Sequence, residues 1–317
     1  MAPIFYVLSP DYIRLLLHPV INYLHSGAWP HNYTIHDVGT HYPNASGHDD
    51  GEAQKMPVEE SGNLLALMYM YELASSDTEY KTQFLDTLKI YADYLVENGL
   101  YPVRQYSTDD GAGEAANQTG LAVKSAIALN AYGVMTNQHK YSDIGRHFAE
   151  VLYNQTEGTD SDRTRFTMFQ GEGDTWSIQF NLYLDVLLKL NTFPVEAVRM
   201  QTDFYPKVRK EAGVPLDSRD SWAKTVWMTF AAATAMAPGV EDEDVRDMFI
   251  NDIHAYVSNG KNDAPFSDKF WTESKVGLDG KYHEIGTYDG YRARPVAGGH
   301  FALLALEGAD QWRAGNA

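Results

Sequence analysis

Met56–Gly99 reads MPVEESGNLLALMYMYELASSDTEYKTQFLDTLKIYADYLVENG and contains one turn of a pattern that runs through the whole chain. Gly62–Ala74 has an almost unbroken apolar body, LLALMYMYEL, the composition of a helix buried on all sides. After Ser75-Ser76-Asp77 the apolar residues thin to Tyr80, Phe84, Leu88, Tyr91 and Leu95, one helical stripe with Lys81, Lys89 and Glu97 off it, and Asn98-Gly99 supplies a stop. The first helix belongs inside a helical assembly and the second outside. Ahead of both runs the polar stretch Ile35–Asn63, with three histidines, three aspartates, three glutamates, four glycines and two prolines. Long polar loops of this kind usually carry function. Its last residues fall at the mouth of the buried helix, where free backbone N–H groups and the helix dipole favour anions.

The cycle of polar loop, inner helix and outer helix recurs. Gln105–Thr119 leads into Leu121–Val134, with an amphipathic partner around Tyr141–Tyr153. Gln170–Thr175 leads into Trp176–Leu190, with a partner from Pro194 towards Phe204. Pro215–Asp220 leads into Trp222–Met236, followed by Glu243–Val257, and Tyr291–Gly299 leads into His300–Leu306. Helical hairpins that run the same way around a ring place the loops before their inner helices on one face, so the expected fold is all-α, an α/α toroid of helical hairpins in a single domain over residues 1–317. Strand signals are scarce; Asp279-Gly280 marks a small hairpin. Near the N-terminus, Ser9-Pro10-Asp11 reads as a helix start, and Tyr12, Leu15, Leu16, Ile21 and Leu24 carry an amphipathic helix to about Ser26-Gly27. This outer helix has no inner partner before it, so the ring is either open or the chain is part of something longer.

Composition narrows the partners. With 317 residues, 44% hydrophobic and 13% aromatic, the chain can bury a sizeable core, and a net charge of −18 with no run of basic residues excludes nucleic acid and anionic lipid surfaces as partners. No segment approaches the length of a membrane span, and no signal peptide is visible. The absence of cysteine removes disulfides and thiol nucleophiles. Asn-x-Ser/Thr triplets at Asn32, Asn44, Asn117 and Asn154 fit a secreted protein carrying N-linked glycans.

Four long strings, HDVGTHYPNASGHDDG with MPVEESGN, ADYLVENGLYPVRQYSTDD with ANQT, VPLDSRDSWAKTVW and RARPVAGGHFALLAL, occur in one order between about Tyr6 and Leu306. Together they resemble the fungal glutaminase A family and its C-terminal six-hairpin domain. The resemblance implies an (α/α)6 toroid, a secreted fungal source and hydrolysis of the L-glutamine amide. It also implies N-terminal domains in a longer parent chain, because members are typically about twice this length and have a first inner helix absent here. In the family string the position of Ser61 is often cysteine, which weakens Ser61 as a nucleophile.

Hydrolysis of an amide or a glycoside without a thiol requires a group to activate water or attack, a proton donor for the leaving group, and donors for developing negative charge. Carboxylates on different loops can serve the first two roles. Glu59 and Glu60 are adjacent, so one can face a cavity while the other caps the helix, and Asp109 and Asp110 present the same choice. Glu60 with Asp109 is the preferred acid/base pair. His36, Asp37, Asn63, Asn117, Trp176, Asp217, Arg294 and His300 are the candidates for contacting substrate, Arg294 as a clamp for a carboxylate and His300 as a further base. His36, His41 and His48 with their neighbouring aspartates match no HExxH or zinc-ribbon spacing, so no metal is expected. Gly111-Ala112-Gly113 lies outside any βαβ unit and no GxSxG elbow occurs, so neither a dinucleotide cofactor nor an esterase serine is expected. Paired carboxylates on the same scaffold also suit a glycoside hydrolase, and a non-catalytic binding domain is the third reading.

Overall fold

A computed structural model describes residues 2–39, 55–108 and 113–315. The chain divides into two compact units: residues 8–155 with 188–192 form the first, and residues 1–7, 156–187 and 193–317 form the second. The short helix α1 (Ala2–Leu8) opens the chain. No described helix is long and apolar enough to cross a membrane.

The first unit holds α2 (Asp11–His25), α3 (Pro57–Ser75), α4 (Leu85–Asn98), α5 (Thr119–Thr136) and α6 (His139–Ala149), with a 3-10 turn at Tyr80–Phe84 and a π turn at Glu150–Asn154. α3 and α5 are inner helices of the kind expected from their composition. All of α5 is buried except Gly120, Val134 and Thr136, and both helices end where the next residue, Ser76 or Asn137, turns left-handed at φ 58 and 54. α5 and α6 lie close because small residues meet at their contact. A Cβ on Gly145 would stand 2.4 Å from the Ala126 carbonyl oxygen, and one on Gly133 would stand 2.2 Å from the Ser142 hydroxyl. Asn130 donates to the Leu190 carbonyl at 3.3 Å and to Thr192 Oγ1 at 3.0 Å, binding residues 188–192 to this unit.

The second unit holds α7 (Leu182–Leu187), α8 (Val195–Val208), α9 (Thr225–Ala235), α10 (Glu243–Ser258) and α11 (Ala302–Gly315), the last preceded by a 3-10 turn at Pro295–Phe301. Three short strands, β1 (Trp222–Lys224), β2 (Lys269–Trp271) and β5 (Tyr288–Asp289), pair antiparallel in the order β1-β2-β5. The hairpin at Asp279-Gly280 is present as β3 (Lys275–Val276) and β4 (Tyr282–His283). The core of this unit gathers Ile178, Phe204, Tyr205, Phe249, Tyr256 and Phe270, with the rings of Tyr256 and Phe270 stacked at 4.2 Å.

Three local expectations need correction. Trp176–Leu190 is not one helix. Residues 176–178 pair with the 216–218 segment, the Ile178 N–H donating to the Leu216 carbonyl at 2.8 Å and Ser177 bridged to Asp217, a turn follows at 180–181, and helix begins only at Leu182. The alternation of Trp176, Ile178 and Phe180, all packed on one core, is the strand signal that a helical reading passes over. Trp222–Lys224 likewise spends its backbone bonds on β2, so α9 starts at Thr225. In α2 the buried stripe is Ile13, Leu17, Ile21 and Leu24, whereas Tyr12, Leu15 and Leu16 are exposed, and Ser9 makes no cap, the helix following Pro10 without a side-chain bond. Its apolar residues cover more than one face, and one stripe meets the core.

Candidate active site

The first turn of α3 places two adjacent carboxylates in different surroundings. Glu59 points inward and is fully buried, whereas Glu60 keeps 16% of its side chain exposed beside His36, which keeps 32%. The Glu59 carboxylate meets the Lys124 ammonium from α5, itself 4% exposed, in a close ion pair. Its Oε1 also accepts from the Thr108 hydroxyl at 3.1 Å, and Oε2 has no hydrogen-bond partner among the described residues. Lys124 lies against Gly62, where a Cβ would stand 2.7 Å from Lys124 Cγ. That absence of a side chain on α3 lets a long cation lie between two inner helices.

Asn63 joins the buried pair to the exposed one. Lys124 Nζ donates to Asn63 Oδ1 at 2.8 Å, and Asn63 Nδ2 donates to Glu60 Oε2 at 3.1 Å and to Glu59 Oε1 at 3.4 Å. The other oxygen of Glu60 lies 2.6 Å from His36 Nδ1. That hydrogen bond, helped by the negative charges of Glu60, Asp37 and Glu59, raises the His36 pKa against the opposing effect of burial. His36 Nε2 makes no hydrogen bond among the described residues. A carboxylate holding one imidazole nitrogen fixes the tautomer and leaves the other nitrogen able to take a proton. Asp37 is exposed and accepts from the Gly39 N–H at 2.7 Å. Ser61 is buried and accepts from the Thr34 N–H at 3.1 Å. Asn117 is exposed at φ 53, its N–H donating to the Pro102 carbonyl at 2.8 Å.

The remaining candidates lie in the second unit. Asp217 is buried and gripped by Arg219, whose Nε and backbone N–H each donate to Oδ1 at 2.8 Å and whose terminal nitrogen donates to Oδ2 at 2.6 Å. Trp176 is half-buried with its ring edge on Phe204, and its backbone N–H donates to Ser218 Oγ at 3.2 Å, so it sits on an extended segment beside the Asp217 loop. Arg294 stands 3.6 Å from buried Asp268 and over the ring of Tyr291, the arrangement of a structural ion pair. His300 has both nitrogens engaged, Nδ1 with the Ala297 carbonyl at 2.8 Å and Nε2 with the Thr225 hydroxyl at 2.9 Å. Burial lowers its pKa, so at neutral pH the ring is uncharged.

The structure thus brings His36, Glu59, Glu60 and Asn63 into one hydrogen-bonded chain, and Trp176 with Asp217 into another setting. Asp109, Asp110, His41, His48 and Asn44 lie outside the described residues. Among the described residues no group of three or more His, Asp or Glu is placed to hold a metal ion. Lys124, Thr108 and Arg219 are participants that the candidate set omits. For Lys124 a signal existed: Glu59 and Lys124 are opposite charges on two helices whose composition calls for burial, and buried charges pair.

The profile of the glutaminase A six helical-hairpin domain matches residues 1–304. The chain belongs to that family. Glutaminase A of Aspergillus oryzae is 37% identical over 311 residues, covering 96% of this chain and 43% of that protein. A probable glutaminase of Arthroderma benhamiae is 28% identical over an alignment covering 98% of this chain and 45% of that protein. This six-hairpin chain therefore spans less than half the length of the curated relatives it matches. Among solved structures, a glycosidase variant in complex with glucose superposes with a TM-score of 0.58 over 98% of this chain and 85% of that one at 11% identity. A sugar epimerase from a ruminal bacterium gives 0.56 over 96% and 86% at 13% identity. At such identities the likeness shows the fold alone, and it is the (α/α)6 class of helical hairpins that the six-hairpin family implies.

Proposed function

We propose that this glutaminase A family chain is a hydrolase that releases ammonia from L-glutamine or a similar small amide, with His36 as the base and Glu60 as the carboxylate that positions it. The observation that carries the reading is the chain Lys124–Asn63–Glu60–His36, which ends on an imidazole nitrogen that makes no hydrogen bond among the described residues. Both oxygens of Glu60 are engaged, one by His36 and one by Asn63, which favours the imidazole over Glu60 as the group that accepts the proton. Glu59, sealed against Lys124, takes the role of an electrostatic support. In the reaction, water adds through oxygen to the amide carbon as its proton passes to His36 Nε2. The imidazolium returns that proton to the amide nitrogen, the carbon–nitrogen bond breaks, and ammonia and a carboxylic acid leave. The proton donor expected at Asp109 falls outside the described residues, and this sequence of steps works without it.

Ammonia release from L-glutamine by the purified chain tests the reading, with His36→Gln and Glu60→Gln beside it. Release by the parent and a loss of about 10²–10⁴-fold in folded His36→Gln are expected, the range of a general base. A folded parent that releases none contradicts it. A glycoside hydrolase is the second reading, supported by the fold shared with the glycosidase solved with glucose; reducing-sugar release from an oligosaccharide panel decides between them.

An extracellular location with N-linked glycans fits the exposure of Asn32, Asn117 and Asn154, while Asn44 lies outside the described residues. The longer architecture expected of the family, with domains ahead of this one, fits relatives of which this chain covers 43% and 45%.

A further inference from the structure

In the second unit a cavity of about 360 Å³ opens beside Trp176, the C-terminal end of α8 and the 215–221 loop. That volume falls within the range of small-molecule sites. What decides its chemistry is which lining groups still have hydrogen bonds to make. The three carboxylates are occupied. Asp217 is held by Arg219 as described, Asp220 accepts from the Ser221 N–H at 2.8 Å and the Leu278 N–H at 2.9 Å, and Glu273 accepts from the Ser221 hydroxyl. Arg209, also in the lining, has its guanidinium forked onto Asp252 at 2.9 and 2.5 Å.

The ammonium groups of Lys210 and Lys275 are ion-paired without a hydrogen bond among the described residues, and that of Lys207 is not paired there. Lys275 Nζ stands 3.3 Å from Asp220 and Lys210 Nζ 3.7 Å from Glu273, ion-pair distances at which neither forms a hydrogen bond among the described residues. Lys207, which is exposed, has no hydrogen-bond or ion-pair partner among the described residues. Each ammonium offers three donors and no acceptor. The cavity therefore sets three ammonium groups that make no hydrogen bond among the described residues beside carboxylates that already accept hydrogen bonds, in a chain whose net charge is −18. Half-buried Trp176 adds an apolar wall.

We propose that this cavity binds a small organic oxyanion, a carboxylate or phosphate ester, with its charged end on Lys207, Lys210 and Lys275 and its carbon skeleton on Trp176. The site is independent of the amidase reading, because binding is measured without turnover: a chain that releases no ammonia still binds. Isothermal titration at low ionic strength, with L-glutamate and inorganic phosphate as separate probes, tests it. The parent and a Lys207→Gln/Lys210→Gln/Lys275→Gln variant are compared, the variant's fold being checked by its circular dichroism and melting temperature. Lys207 and Lys210 are exposed, whereas Lys275 is half-buried against buried Asp220, so a Lys207→Gln/Lys210→Gln variant that keeps this pair is measured beside the triple one. One-to-one binding by the parent, at least tenfold weaker in the triple variant and weakened by added salt, is the expected result. Binding of glutamate alone assigns the site to carboxylates, of phosphate alone to phosphates, and of both to oxyanions in general. No binding of either probe by the parent, or equal affinity in either folded variant, overturns the proposal.

Discussion

Asn63 matters because its amide has two unlike ends. Lys124 can only donate, so it takes Oδ1 and turns Nδ2 towards the carboxylates, which in turn presents Glu60 to His36. Two predictions belong at this scale. An NMR titration of His36 should give a pKa above the ordinary 6.5 of imidazole, and Glu60→Gln, by removing the largest cause, should bring it down towards that value. Because the folded pKa is raised, the pair's contribution to stability is fully present below the ordinary imidazole pKa and is lost as pH rises through the raised one. Lys124→Met should destabilise the fold by about 3–5 kcal/mol in denaturant unfolding, since it leaves Glu59 buried without its cation. Adding Glu59→Leu should recover much of that loss. The adjacency of Glu59 and Glu60 shows in the sequence that one of them turns inward, but not which, because that depends on the register of α3 against α5. Lys124 was legible only as a charge out of place.

At the scale of elements, the long helices were legible and the short extended pieces were not. α3, α5 and α10 follow their apolar patterns closely because a helix of fourteen or more residues repeats its period several times. Trp176, Ile178 and Phe180 offer only three alternations, and the non-helical form of 176–178 is decided by pairing with the 216–218 segment, a contact distant in sequence. The α5–α6 contact gives a direct test of packing. Gly145→Ala should cost about 1–3 kcal/mol in denaturant unfolding, since the new methyl meets a backbone oxygen that cannot swing aside. At α10, Asp242 accepts from the Val245 N–H at 3.0 Å, and Asp242→Ala should cost about 1 kcal/mol by the same measurement.

At the scale of the whole molecule, the repeated cycle of buried and amphipathic helices was enough to reach an α/α toroid, the sixfold count came from the four family strings, and the family match agrees. Chemistry was harder to read, because a polar loop before an inner helix looks the same whether its residues brace one another or meet substrate. Arg294 and His300 were expected at a site, and their side chains are held by Asp268, Ala297 and Thr225; His36 was expected to bind, and its geometry suits a base. The pH dependence of ammonia release from L-glutamine, in the parent and in Glu60→Gln, tests the central claim most directly. The account predicts a parent rate that rises with pH through a midpoint above 6.5, and in Glu60→Gln a lower rate with its midpoint moved down. A parent rate that ignores pH across this window, or a midpoint that Glu60→Gln leaves in place, would contradict it.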